Sequence, residues 1–139
     1  MKSMEILGKL QKYNWREHNI EYVIVFGSCL TRPIFHDIDL GVKFIKYNLD
    51  EYVDLLEKLS GYLKLREDHI DIVVLNNENL PAQLILEIYT KGKLVYCRNY
   101  EDYLDEAFKR INVSYDFLID FKKLRILETA LEKVKKSWE

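Results

Sequence analysis

Tyr22-Val23-Ile24-Val25-Phe26-Gly27-Ser28 is followed, after an eight-residue spacer, by Asp37-Ile38-Asp39-Leu40-Gly41-Val42. The first five residues form a short, continuous apolar run of the kind found in buried strands, and Gly27-Ser28 closes it with a turn. Residues i and i+2 of a strand project from one face. Asp37 and Asp39 are therefore expected side by side, with Ile38, Leu40 and Val42 turned to a core. Two carboxylates held that close repel each other, and a proton or a metal cation relieves the repulsion. Oxygen ligands favour magnesium, which uses one or two protein carboxylates and takes its other ligands from water and substrate phosphate. A phosphate-holding turn beside paired acids reads as a device for handling a nucleoside triphosphate.

Either element alone is a weak sign, because short motifs recur by chance. A third acid strengthens the reading. Asp71 interrupts the apolar run Ile70-Asp71-Ile72-Val73-Val74, and aspartate is disfavoured inside a strand. Costly local choices of this kind mark functional positions.

The 139 residues suffice for a single domain with one hydrophobic core. Apolar residues make up 48% and charged residues 32%, a balance that excludes global disorder. A formal net charge of -2 offers no general attraction to nucleic acid, so direct nucleic-acid binding is not expected. No signal-like apolar stretch opens the chain, and no apolar run approaches a membrane span. Cys29 and Cys97 belong to no CxxC or zinc-like spacing. A reduced, cytoplasmic protein without membrane association is the expectation.

Periodicity predicts an α/β domain: a small mixed sheet flanked by helices, with a helical tail. A first helix capped by Ser3 is expected to run to about His18, with Ile6, Leu7 and Leu10 inward. Strands are expected at 22–26, 37–44 and 69–75, and a helix at 49–63. Asn79 is expected to cap a further helix ended by Gly92, before a brief edge strand at 94–96. Residues 1–98 would form the core and 99–139 the tail. The tail carries an apolar stripe at Leu104, Phe108, Ile111, Tyr115, Leu118, Leu127, Leu131, Val134 and Trp138. Asn112-Val113-Ser114 leaves open whether it is one helix or two. Packing on the sheet and contact with another protein are both compatible with this stripe.

Gly27-Ser28, Asp37-Ile38-Asp39 and Asp71 resemble the signature of the DNA-polymerase-β-like nucleotidyltransferase superfamily. The likeness covers roughly residues 21–76, and the small size is similar to that of the minimal nucleotidyltransferases, antitoxins paired with HEPN ribonuclease toxins. The spacer is shorter than the family's and lacks the arginine that commonly follows the serine. The resemblance implies that Gly27, Ser28 and Arg32 bind nucleotide and that Asp37, Asp39 and Asp71 are catalytic and hold two Mg2+ ions. It further implies that ATP is the substrate and that AMP passes to a tyrosine of a cognate HEPN toxin. Asp71 is the candidate general base. Arg32 reads equally well as an ordinary exposed arginine, and His36 and His69 as loop histidines. Two other readings stay open: an inactive fold that neutralises its partner by occlusion, and a nucleotidyltransferase acting on a small molecule such as an aminoglycoside.

Overall fold

The three apolar runs become three strands of one sheet, and the alternation along them buries both of its faces. The computed structural model describes residues 2–137. In chain order its elements are α1 (Ser3–Lys12), β1 (Ile20–Phe26), α2 (Ser28–Thr31), β2 (Ile38–Phe44), α3 (Leu49–Leu63), β3 (Ile70–Val74), α4 (Ala82–Leu86), β4 (Lys93–Cys97) and α5 (Tyr100–Ser137). The sheet has the order β3-β2-β1-β4. β1 runs antiparallel to β2 and β4, and β2 runs parallel to β3.

Val23, Val25, Ile38, Leu40, Val42 and Phe44 meet α1 and α3 on one face, where Leu10, Leu55 and Leu59 are wholly buried. Tyr22, Ile24 and Phe26 form the other face, packed with Leu75, Ile85, Ile88, Tyr89 and Ala107. Asp39 and Asp71 belong to this second face by strand parity.

The strands shift from the periodicity-based expectation by one or two residues, β1 beginning at Ile20, and the helices α1 and α4 differ more. α1 stops at Lys12 instead of His18, because the Trp15 indole N–H turns back and donates to the Leu10 carbonyl at 2.8 Å. This satisfies a helix-end acceptor and leaves Trp15–Glu17 as a 3-10 turn. Ser3 is the first helical residue and not the cap; its N–H donates to the Pro33 carbonyl at 3.1 Å. The helix expected to start at Asn79 starts after Pro81, whose φ of -57° suits a helix entry. The Asn79 N–H is instead held by Asn77 Oδ1 at 2.9 Å in the preceding turn. α3 has the expected bounds, and Asn48 caps it by accepting the Glu51 N–H at 2.8 Å.

α5 is one unbroken helix through Asn112-Val113-Ser114. Its packed face takes in only part of the stripe, with Leu104, Ile111 and Leu118 half-buried. Ala107 and Ser114 are buried, whereas Phe108 and Tyr115 are 60% and 50% exposed. Small side chains let the helix approach α4 closely, and Arg110 fixes the rotation. Its guanidinium donates to the carbonyls of Leu75 and Asn77 and to the Tyr89 hydroxyl, and it stacks over the Tyr89 ring. Beyond Ser114 the helix leaves the core: Phe117, Phe121, Leu124 and Leu131 are all exposed. Trp138, the last residue of the expected stripe, lies outside the described residues.

Both cysteines are free thiols. Among the described residues no helix is long and apolar enough to cross a membrane. Arg110→Met keeps the length of the side chain but deprives two carbonyls of their charged donor. It is expected to destabilise the protein by about 1–3 kcal/mol, read by urea denaturation. An unchanged midpoint would show that apolar packing alone seats α5.

Candidate functional site

β1 ends at the one place where the backbone turns left-handed at a glycine. Gly27 has φ +80°, a conformation most side chains avoid, and α2 begins at the next residue. The N–H groups of Leu30 and Arg32 close this single helical turn on the carbonyls of Gly27 and Ser28, at 3.0 and 2.9 Å. Ser28 is partly exposed and Cys29 beneath it is buried. Arg32 is exposed, as is His36.

The strand registers bring the acids to this turn. Phe26 is paired with Asp39, and Asp39 with Asp71 on the parallel side. A Cβ added to Gly27 would collide with Asp39 Oδ2, so a glycine is required here both for its φ and for the approach of the carboxylate. Burial pushes the Asp39 carboxyl up to about 6, reinforced first by Asp71, which lies within hydrogen-bonding reach, then by Asp37 and Glu87. Burial and the same Asp39 charge push the Cys29 thiol up to about 11.

Asp37 stands just before β2, and its carboxylate engages His69, Oδ1 to Nδ1 at 3.0 Å. The close carboxylate pair is therefore Asp39 with Asp71, across the parallel strands. Asp37 joins them through charge, and its nearest partner is an imidazole. Position 37 precedes Asp39 by two residues as 69 precedes Asp71, so the histidine and the three acids share one face.

Two participants escaped sequence reasoning. His69 was legible only as a neighbour of the third strand; its partnership with Asp37 follows from the β2–β3 register. Glu87 sits at the start of a π-helical turn, Glu87–Lys91. Gly41, on the face of Asp39, leaves room for Ile88, whose Cγ2 would lie 3.2 Å from an added Cβ. That close approach seats the π turn on the sheet and brings the charge of Glu87 to bear on Asp39. No sequence pattern announces a π turn.

Among the described residues no three His, Cys, Asp or Glu side chains are drawn together tightly enough to hold a metal ion as they stand. The donor chemistry nevertheless fits a hard divalent cation. Asp39 and Asp71 offer only oxygens, and their mutual repulsion, visible in the raised Asp39 carboxyl, is the kind a cation relieves.

The family model described as "Polymerase beta, Nucleotidyltransferase" matches residues 8–101. No curated protein matches the chain. Among solved structures, a toxin–antitoxin complex with AMP-PNP is similar at 21% identity and TM-score 0.62, covering 94% of this chain and 99% of that one. A complex of tri-AMPylated Shewanella oneidensis HEPN toxin with MNT antitoxin is similar at 21% identity and TM-score 0.57, covering 92% and 95%. A mutant of the MntA toxin–antitoxin pair gives 19% identity and TM-score 0.63 over 94% and 99%. At these identities the likeness carries the fold.

The raised Asp39 carboxyl has a measurable consequence. In the metal-free protein the unfolded chain ionises Asp39 near 3.8 while the folded site waits until about 6. Stability is therefore expected to fall across that window and to stay lower above it. Asp39→Asn removes the penalty and is expected to melt a few degrees higher (~2–6 °C) in chelator at mildly alkaline pH. A variant that melts lower than wild type would mean that Asp39 stabilises the fold.

Proposed function

The chain belongs to the polymerase beta nucleotidyltransferase family, and on that premise we propose that it transfers AMP from ATP to a hydroxyl of a partner protein. The acceptor is a tyrosine of a cognate HEPN-type ribonuclease toxin, which makes the chain an antitoxin. The observation that carries this reading is the contact of the Gly27 turn with Asp39, itself paired with Asp71. A nucleotidyl transfer needs donors for the triphosphate and acids for the charge that develops, side by side.

In this reading Gly27 and Ser28 hold phosphate through backbone N–H groups and the serine hydroxyl, because the first N–H groups of a helical turn lack intrahelical partners. Arg32 adds positive charge from the exposed side of the turn. Asp37, Asp39 and Asp71 would hold Mg2+, which when bound neutralises phosphate charge and polarises the phosphoryl oxygens. The acceptor oxygen bonds to the α-phosphorus as the bond to the leaving pyrophosphate breaks. Asp71, the most exposed of the paired acids, takes the hydroxyl proton. Residues 1–98 carry the chemistry; of the tail, 99–139, the part up to Ser114 packs on the core and the exposed part beyond it contacts other protein. The cytoplasm, where ATP, magnesium and a ribonuclease target meet, is the compartment this activity requires.

Occlusion of the partner without catalysis is the second reading, favoured by the exposed apolar half of α5. One experiment separates the two: the protein is incubated with the HEPN toxin, labelled ATP and magnesium, beside Asp39→Asn. Label is expected on the toxin with wild type and about 100-fold less with the variant. Equal neutralisation by both proteins, with no label on the toxin, would replace catalysis by occlusion.

A further inference from the structure

The half of α5 that leaves the core is apolar, exposed and strongly asymmetric in charge. Residues 100–120 carry six acidic and two basic side chains, and residues 121–137 carry six basic and two acidic ones. At about 100° per residue, Val113, Phe117, Leu124, Leu127 and Leu131 line one side of the helix, and all five are more than half exposed. Phe117 stacks along the helix with Phe121 at 6.4 Å, so this ridge is preformed. A surface of this size on a soluble chain calls for a cover.

The ridge runs directly into a groove of about 1060 Å³ between α4 and α5. Leu80, Pro81, Ile85, Val113 and Phe117 give the groove an apolar floor. Its rim is acidic, with Glu78, Asp102, Asp105 and Glu106. Of the three basic residues there, Lys43 is paired with Glu106 at 3.1 Å and Arg110 is committed to main-chain carbonyls. The groove therefore suits an apolar helix with basic flanks, and the far end of α5 is such a helix.

We propose that α5 pairs antiparallel with α5 of a second copy, the basic end of each helix lying along the acidic groove of the other. A two-fold axis near residue 120 sets residue i of one copy opposite roughly residue 240-i of its partner. Phe117 then meets Leu124 and Val113 meets Leu127, while Asp116 faces Lys123 and Lys135 lies over the acidic end of the groove at Asp105 and Glu106. Apolar and charged residues fall into place in the same register, which a parallel arrangement would not allow. The second apolar flank of the helix, with Phe108, Tyr115, Ile119 and Ile126 exposed, stays open to another protein. The pairing is independent of whether the acidic site transfers nucleotide.

The test is sedimentation of the full chain alone at low ionic strength, with circular dichroism confirming that each variant is folded. Wild type is expected to sediment as a dimer that weakens with salt. Phe117→Glu and Leu124→Glu change exposed positions and are each expected to raise the dissociation constant about tenfold or more. Two charge-swapped chains make the register decisive: Asp105→Lys with Asp116→Lys, and Lys123→Asp with Lys135→Asp. Each is expected to be monomeric alone, and an equimolar mixture is expected to restore the dimer. A monomeric wild-type chain would overturn the proposal and assign the ridge to a protein of different sequence. A mixture that stays monomeric would overturn the antiparallel register.

Discussion

The site depends on the parallel pairing of β2 with β3, which sets Asp39 beside Asp71. Nothing about two neighbouring carboxylates favours that pairing. Their repulsion, with the partial burial of Asp39, opposes folding in its charged form. What holds the register is the opposite face of the same strands, where Ile38, Leu40 and Val42 are fully buried. A slip of one residue would carry those three side chains out of this core to the other face and turn the acids into it. The apolar side of the sheet thus imposes a strained arrangement on its polar side, as functional sites commonly require.

Glycines at two positions let the remaining parts close around that pair. Gly27 admits both the left-handed turn and the Asp39 carboxylate, and Gly41 admits Ile88 and with it the π turn that carries Glu87. The acidic centre is therefore built from the sheet, from a one-turn helix and from the helical layer above, with His69 holding the outermost acid.

Much of this was legible because strands and their acids declare themselves through a period of two. The three apolar runs, the parity that puts Ile38 and Leu40 in the core, and the bounds of α3 all follow from local pattern. What escaped depends on contacts distant in sequence or on geometry without a pattern. The Trp15 indole ends α1 by satisfying a main-chain carbonyl, an outcome no periodicity encodes. Pro81 takes over the entry of α4 from Asn79 because the turn before it occupies the asparagine's N–H. Apolar periodicity along α5 leaves open which of its large residues are covered. The helix packs on Ala107 and Ser114, with Arg110 fixing its rotation, and turns Phe108 outward. A long stripe records what is apolar, and the small residues within it record what is close-packed.

The account rests on the turn at Gly27 and the Asp39–Asp71 pair forming one site for a triphosphate and its cation. The most direct measurement is a crystal structure with a non-hydrolysable ATP analogue and manganese, whose anomalous signal marks the ion. The account predicts manganese bound to oxygens of Asp39 and Asp71, with the phosphates against the N–H groups of residues 27 and 28. Nucleotide seated elsewhere, or manganese absent from these two carboxylates at saturating concentration, would contradict it.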